Sequence, residues 1–80
     1  MINIYTKPSC PHCTQAKNLL NRLGKVFVEI PIGESILVEE LRELYPSART
    51  APVVVIDGFY IGGYSELQQL YESNPQLLAE

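Results

Sequence analysis

The sequence predicts an α/β fold of order βαβαββα, a four-stranded mixed sheet flanked by helices. Three observations lead there. Stretches of alternating or β-branched apolar residues trade places with stretches whose apolar residues recur at helical spacing. The first two strands are joined through a helix, which makes them parallel with a right-handed crossover. Asp57-Gly58 then joins the last two strands in a tight antiparallel hairpin.

Each element has its own signal. Ile2 and Ile4 alternate with Asn3 and Tyr5, the pattern of a short strand. Ala16, Leu19, Leu20 and Leu23 share one helix face, and Gly24 ends the run. "VFVEI" (26–30) is a β-branched strand stopped by Pro31. Leu37, Leu41, Leu44 and Tyr45 fit a second helix closing before Pro46. "PVVVI" (52–56) reads as a strand buried on both faces. Phe59–Ile61 forms the last strand, which Gly62-Gly63 break. Ser65, with Gln68 three residues on, resembles a capping box that opens a helix burying Leu67, Leu70 and Tyr71. Asn74-Pro75 ends or kinks that helix.

The 80 residues make a single domain spanning 1–80, with no repeat, linker or low-complexity segment. At 46% hydrophobic and 19% charged, the composition is neither disordered nor membranous. The opening "MINIYTKP" lacks the apolar run of a signal peptide, so the expected compartment is cytoplasmic, with no membrane partner. The net charge of −3 disfavours a general nucleic-acid role. Charge is unevenly spread: Lys7, Lys17, Arg22 and Lys25 precede an acidic block of Glu29, Glu34, Glu39, Glu40 and Glu43.

The two cysteines, Cys10 and Cys13, lie in the basic part, in "KPSCPHCTQAK". A bridge across so short a spacing removes little unfolded-state entropy, so stapling is not their purpose. Pro11 suits the first position of a helix, which places Cys10 at the N-cap against free amides and the positive helix end. That setting, with Lys7 and His12 near, favours the nucleophilic thiolate. Cys13 lies about one turn inside and is less acidic. Cys10 therefore attacks, and Cys13 resolves the mixed disulfide. His12 is expected to bring its ring toward the Cys10 sulfur. Zinc is the competing reading, since Cys-x-x-Cys recurs in zinc sites. Such sites commonly use four protein ligands, and this chain offers two cysteines and one histidine wedged between them.

"IYTKPSCPHC" after the first strand, "EIPI" after the second, "TAP" at 50–52 and "IGGYSEL" at 61–67 together resemble a glutaredoxin of the thioredoxin-like fold. The resemblance covers nearly the whole chain. It implies a redox-active Cys10–Cys13 disulfide, no metal, and no bound cofactor beyond glutathione as reducing co-substrate. Pro52 matches the family's cis-proline, which would turn the backbone of Ala51 toward a substrate peptide. The Gly-Gly turn and helix start match Gly63, Tyr64 and Ser65, whose amides suit a glutathione carboxylate. Lys7 matches a family lysine that pairs with the other carboxylate, and Arg49 and Thr50 adjoin the same site. The chain departs from the pattern in three places: His12 stands where a tyrosine is common, Ala51 replaces a valine, and Tyr64 replaces a frequent cysteine.

The resemblance implies a glutathione-dependent thiol–disulfide oxidoreductase that reduces protein disulfides and glutathione mixed disulfides, working as a monomer. Two alternatives stand beside it. One is a redoxin fed by thioredoxin reductase that donates electrons to ribonucleotide reductase. The other is a non-enzymatic iron–sulfur carrier, against which Pro11 stiffens the site.

Overall fold

The computed structural model describes residues 1–48 and 50–74. Its elements run β1 (Ile2–Thr6), α1 (Pro11–Arg22), β2 (Phe27–Pro31), α2 (Val38–Leu44), β3 (Val53–Ile56), β4 (Phe59–Gly62) and α3 (Tyr64–Ser73). The strands lie in the order β2-β1-β3-β4. β1 is parallel to β2 and antiparallel to β3, and β3 is antiparallel to β4. This is the expected α/β arrangement.

The side-chain alternation of β1 explains why both sheet faces are covered. Ile2 and Ile4 point to one face and pack with Ala16 and Leu20 of α1, Val54 of β3, and Leu67 and Tyr71 of α3. Tyr5 points to the other, where it meets Leu41 of α2 with Ala48, Val53 and Val55. The valine run of β3 therefore serves two cores at once, as a central strand must.

Two turns have the chemistry their residues announce. Asp57 and Gly58 both have positive φ, 52° and 86°, and sit between the paired residues Ile56 and Phe59. That is the two-residue hairpin turn whose twist matches the flanking strands. At the end of α1, Gly24 has φ 71°, its N–H donates to Asn21 O, and Lys25 N–H donates to Leu20 O. Those are the paired bonds of a Schellman closure.

Four boundaries differ from the sequence reading. Pro31 does not stop β2 but is its last residue, opposite Thr6. An edge strand tolerates a residue without an N–H. Leu37 caps α2 rather than joining it, and its own N–H donates to Glu40 Oε1 at 3.0 Å. Gly62 belongs to β4. The box at the start of α3 is set two residues earlier than Ser65 and Gln68: Gly63 is the N-cap, and Glu66 Oε1 accepts its N–H at 2.7 Å. Pro75 lies outside the described residues.

Candidate functional site

The chain leaves β1 at Thr6, turns through Pro8 and Ser9, and enters α1 at Cys10. Ser9 has φ 56°, a left-handed conformation that reverses the chain tightly enough to set Cys10 at the N-cap. Pro11 occupies the first helical position, where a missing N–H costs nothing. The Cys10 sulfur accepts the Cys13 N–H at 3.2 Å, and the Cys10 carbonyl accepts the Thr14 N–H. A sulfur in this place satisfies one of the free amides of the first turn.

Cys10 and Cys13 are joined by a disulfide, with their Cα atoms 5.2 Å apart. Cys10 retains 9% of its surface and Cys13 only 2%. The asymmetry follows from their places, one at the helix tip and one a turn inside. Across from α1, the Cys10 sulfur lies 3.8 Å from the carbonyl oxygen of Ala51. The Ala51–Pro52 bond is cis, and Pro52 is fully buried.

From this point the site opens two ways. A groove of about 200 Å³ is walled by His12, Thr50, Ala51, Pro52, Gly63, Tyr64, Ser65 and Glu66. It gathers most of the residues that the sequence nominated. One wall of it is the start of α3, from Gly63 to Glu66. A larger cleft of about 700 Å³ lies on the β2 side, lined by Lys7, both cysteines, Thr14, Lys17 and Glu29 among others. Lys7 is exposed at the rim and also borders a third hollow with Thr50, Ala51 and Arg42. Arg49 lies outside the described residues.

His12 departs from expectation. Its ring stacks on Tyr64, with centroids 6.4 Å apart and planes 17° from parallel, instead of turning to the Cys10 sulfur. The reason is helical geometry: residues two apart do not share a face, whereas Cys10 and Cys13, three apart, do. His12 and Tyr64 thus link the first turns of α1 and α3 across the groove.

One part of the surroundings escaped the sequence reading. Thr6 Oγ1 donates to Glu29 Oε2 at 2.8 Å, and Lys17 Nζ donates to the same oxygen at 3.0 Å. The Thr6 hydroxyl, and after it the Lys17 ammonium, hold the Glu29 carboxyl below the usual carboxylate range. In sequence these three belong to a strand, a helix and the next strand, and only the β1–β2 pairing brings them together. Elsewhere, burial and the neighbouring Tyr45 push the Tyr5 phenol up.

Among the described residues no group of three or more His, Cys, Asp or Glu is arranged to hold a metal, and no helix is long and apolar enough to cross a membrane.

Comparison with known proteins agrees with this geometry. Residues 2–61 match the glutaredoxin family profile. Glutaredoxin 3 of Escherichia coli K12 is 38% identical over 69 residues, which cover 86% of this chain and 83% of that protein. The hybrid peroxiredoxin hyPrx5 of Haemophilus influenzae is 39% identical over 70 residues, or 88% of this chain, which spans only 29% of that protein's length. The solution structure of reduced Escherichia coli glutaredoxin superimposes with a TM-score of 0.79 at 26% identity, covering 94% of this chain and 95% of that one.

Proposed function

Because the chain belongs to the glutaredoxin family, a family of thiol–disulfide oxidoreductases, we propose that it is a glutathione-dependent reductase of protein disulfides and glutathione mixed disulfides. The observation that carries the reading is the Cys10 sulfur at the N-cap of α1, 3.2 Å from the Cys13 N–H and beside the backbone of Ala51. Helix-end amides favour the thiolate over the thiol, and the thiolate is the attacking form.

The exchange runs in balanced steps. Cys10 thiolate attacks one sulfur of a substrate disulfide, forming a mixed disulfide and releasing the other sulfur as thiolate, which takes a proton from solvent. Cys13 then attacks Cys10, closing the Cys10–Cys13 bond and freeing the second substrate thiol. Two glutathiones reopen that bond and leave as glutathione disulfide, so the electrons come from glutathione and no bound cofactor enters. For a glutathione mixed disulfide, a second glutathione can replace Cys13.

Binding falls to the groove. The α3 amides at Tyr64 and Ser65, with the Ser65 hydroxyl, hold one glutathione carboxylate, and Lys7 meets the other. The Ala51 backbone, with Thr50 and Pro52 flanking it, receives the peptide like an added strand. His12 and Tyr64 form the aromatic wall, and Arg49 is assigned to the same anionic ligand by sequence position alone. The protein acts as a monomer in the reducing cytoplasm, on disulfide-bearing proteins that include ribonucleotide reductase as a candidate.

The test is turnover of a glutathione mixed disulfide with glutathione and glutathione reductase, beside a reaction supplied by thioredoxin reductase alone. Turnover only in the first supports the reading. Turnover only in the second overturns it.

A further inference from the structure

The large cleft on the β2 side holds a charged pair that the exchange reaction above does not use. Lys17 stands four residues after Cys13 on α1, so the two side chains are neighbours on one helix face, about 6 Å apart at Cβ. Both line the cleft, with Glu29 opposite. Lys17 is the one Lys or Arg of α1 within a helical turn of Cys13, and a cation brought near a thiol favours its thiolate. Yet its ammonium is drawn 3.0 Å onto the Glu29 carboxylate, which the buried Thr6 hydroxyl fixes from behind.

The geometry points to Glu29 as a positioning residue for the resolving step: by holding Lys17, it withholds a positive charge from Cys13 and keeps that sulfur a thiol. The inference rests on the assignment of Cys13 as the resolving cysteine. In that step Cys13 gives its proton to solvent, its sulfur bonds to Cys10, and the bond between Cys10 and the substrate sulfur breaks. The departing thiolate then takes up a proton. A Cys13 kept protonated closes the ring slowly, which leaves the mixed disulfide open to attack by a second glutathione. Glu29 thereby apportions traffic between the route through both cysteines and the route through Cys10 alone.

The other charged groups facing the cleft are Lys7 from the loop after β1 and Glu34 from the turn after β2. Both are exposed and of opposite sign. Among the described residues neither has an ion-pair partner in the cleft, whereas Glu29 and Lys17 are joined to each other and retain 39% and 31% of their side-chain surface.

The effect is sized by taking the Cβ spacing of about 6 Å as the distance between charge and sulfur, in a largely solvent-filled cleft with a dielectric of about 40 to 80. That moves a thiol titration by about 0.5 to 1 pH unit. A lower titration point enlarges the thiolate fraction but weakens each thiolate as a nucleophile, so ring closure at neutral pH speeds up about 2- to 3-fold.

The experiment titrates the Cys13 thiolate absorbance in a Cys10→Ser background carrying Glu29→Gln, Lys17→Gln or both, and times ring closure of the glutathione mixed disulfide in the corresponding variants with both cysteines intact. Glu29→Gln should lower the Cys13 titration by about 0.5 to 1 unit and speed ring closure. Lys17→Gln should move both the other way, and the double variant should return near the starting values. Glu29→Asp should restore the parent behaviour. Shifts in one common direction, or none, overturn the inference. These readings need no glutathione turnover, so they fail separately from the proposed activity.

Discussion

The Cys13 backbone N–H points at the Cys10 sulfur from 3.2 Å, while the Cys13 sulfur itself is buried to 2% exposure. One residue thus supplies the amide that steadies the outer sulfur and the inner sulfur that, in the proposed exchange, bonds to the outer one and displaces the substrate from it. The amide survives any change of the Cys13 side chain, so the two contributions separate by mutation.

Cys10→Ser should abolish exchange with every disulfide, a loss of at least about 10³-fold, because no sulfur remains at the helix tip. Cys13→Ser keeps the amide and should retain glutathione removal from a mixed disulfide while losing most protein-disulfide reduction. Assays of both substrates with both variants check this. The reverse pattern would exchange the two roles.

In the groove, the stacked His12 ring is a wall and not a partner of the sulfur. His12→Ala and Ser65→Ala should each raise KM for glutathione-bearing substrates about 3- to 10-fold, the loss of roughly one net hydrogen bond or aromatic contact. Turnover of a small disulfide without glutathione should change less than 2-fold. Steady-state kinetics on both substrates check the split, and equal effects on both would remove these residues from the glutathione site.

Gly62 is fixed by its surroundings. It has φ 137°, and a Cβ there would lie 2.5 Å from Glu66 Cγ. Gly62→Ala should therefore displace Glu66 from the Gly63 N–H and destabilise the protein by about 1–3 kcal/mol. Denaturant unfolding measures the loss. Gly63→Ala, with its nearest outside neighbour at 3.4 Å, should cost less.

Glu29 gives the fold a small acid sensitivity. Its folded carboxyl titrates below the unfolded value of 4.5, so the folded state holds fewer protons there and gains stability above that pH. The gain is present above about pH 4.5 and disappears as pH falls through the lower folded value. At a site this exposed, solvent screening limits it to about 0.5 kcal/mol. Relative to the parent, Glu29→Gln should lose stability at pH 6 and show no deficit at pH 2.5, as unfolding curves at both values would report.

Local signals carried most of the fold. Asp57-Gly58, Gly24 and the valine run each have a structure that nearby atoms enforce, and Pro11 placed Cys10 at its cap without help from the rest of the chain. The start of α3 was harder, because two overlapping frames compete there. Ser65-x-x-Gln68 has a hydroxyl and a side-chain amide, whereas Gly63-x-x-Glu66 has only the reaching carboxylate, and the close approach permitted by Gly62 decides for the second. His12 was misplaced by weighing its chemistry above its helical phase. The bond from Glu29 to Lys17 could not be read locally, since it depends on strand register across twelve residues.

The two faces of the sheet are unequally held. α1 and α3 cover one with Ala16, Leu20, Leu67 and Tyr71 buried, while α2 holds the other with Leu41 alone and leaves Leu37, Val38 and Leu44 exposed. Local opening follows the density of buried contacts, so the α2 side yields at lower free energy. The Cys10 sulfur, at the cap of α1, belongs to the more densely packed side. Ala51, to which the proposed function assigns the substrate peptide, borders the less densely packed side beside Leu41 and Ala48. Under the proposed roles, the sulfur that attacks is set on the more densely packed side and the backbone that grips on the sparser one, so the grip can yield to substrates of different shape while the nucleophile stays in place.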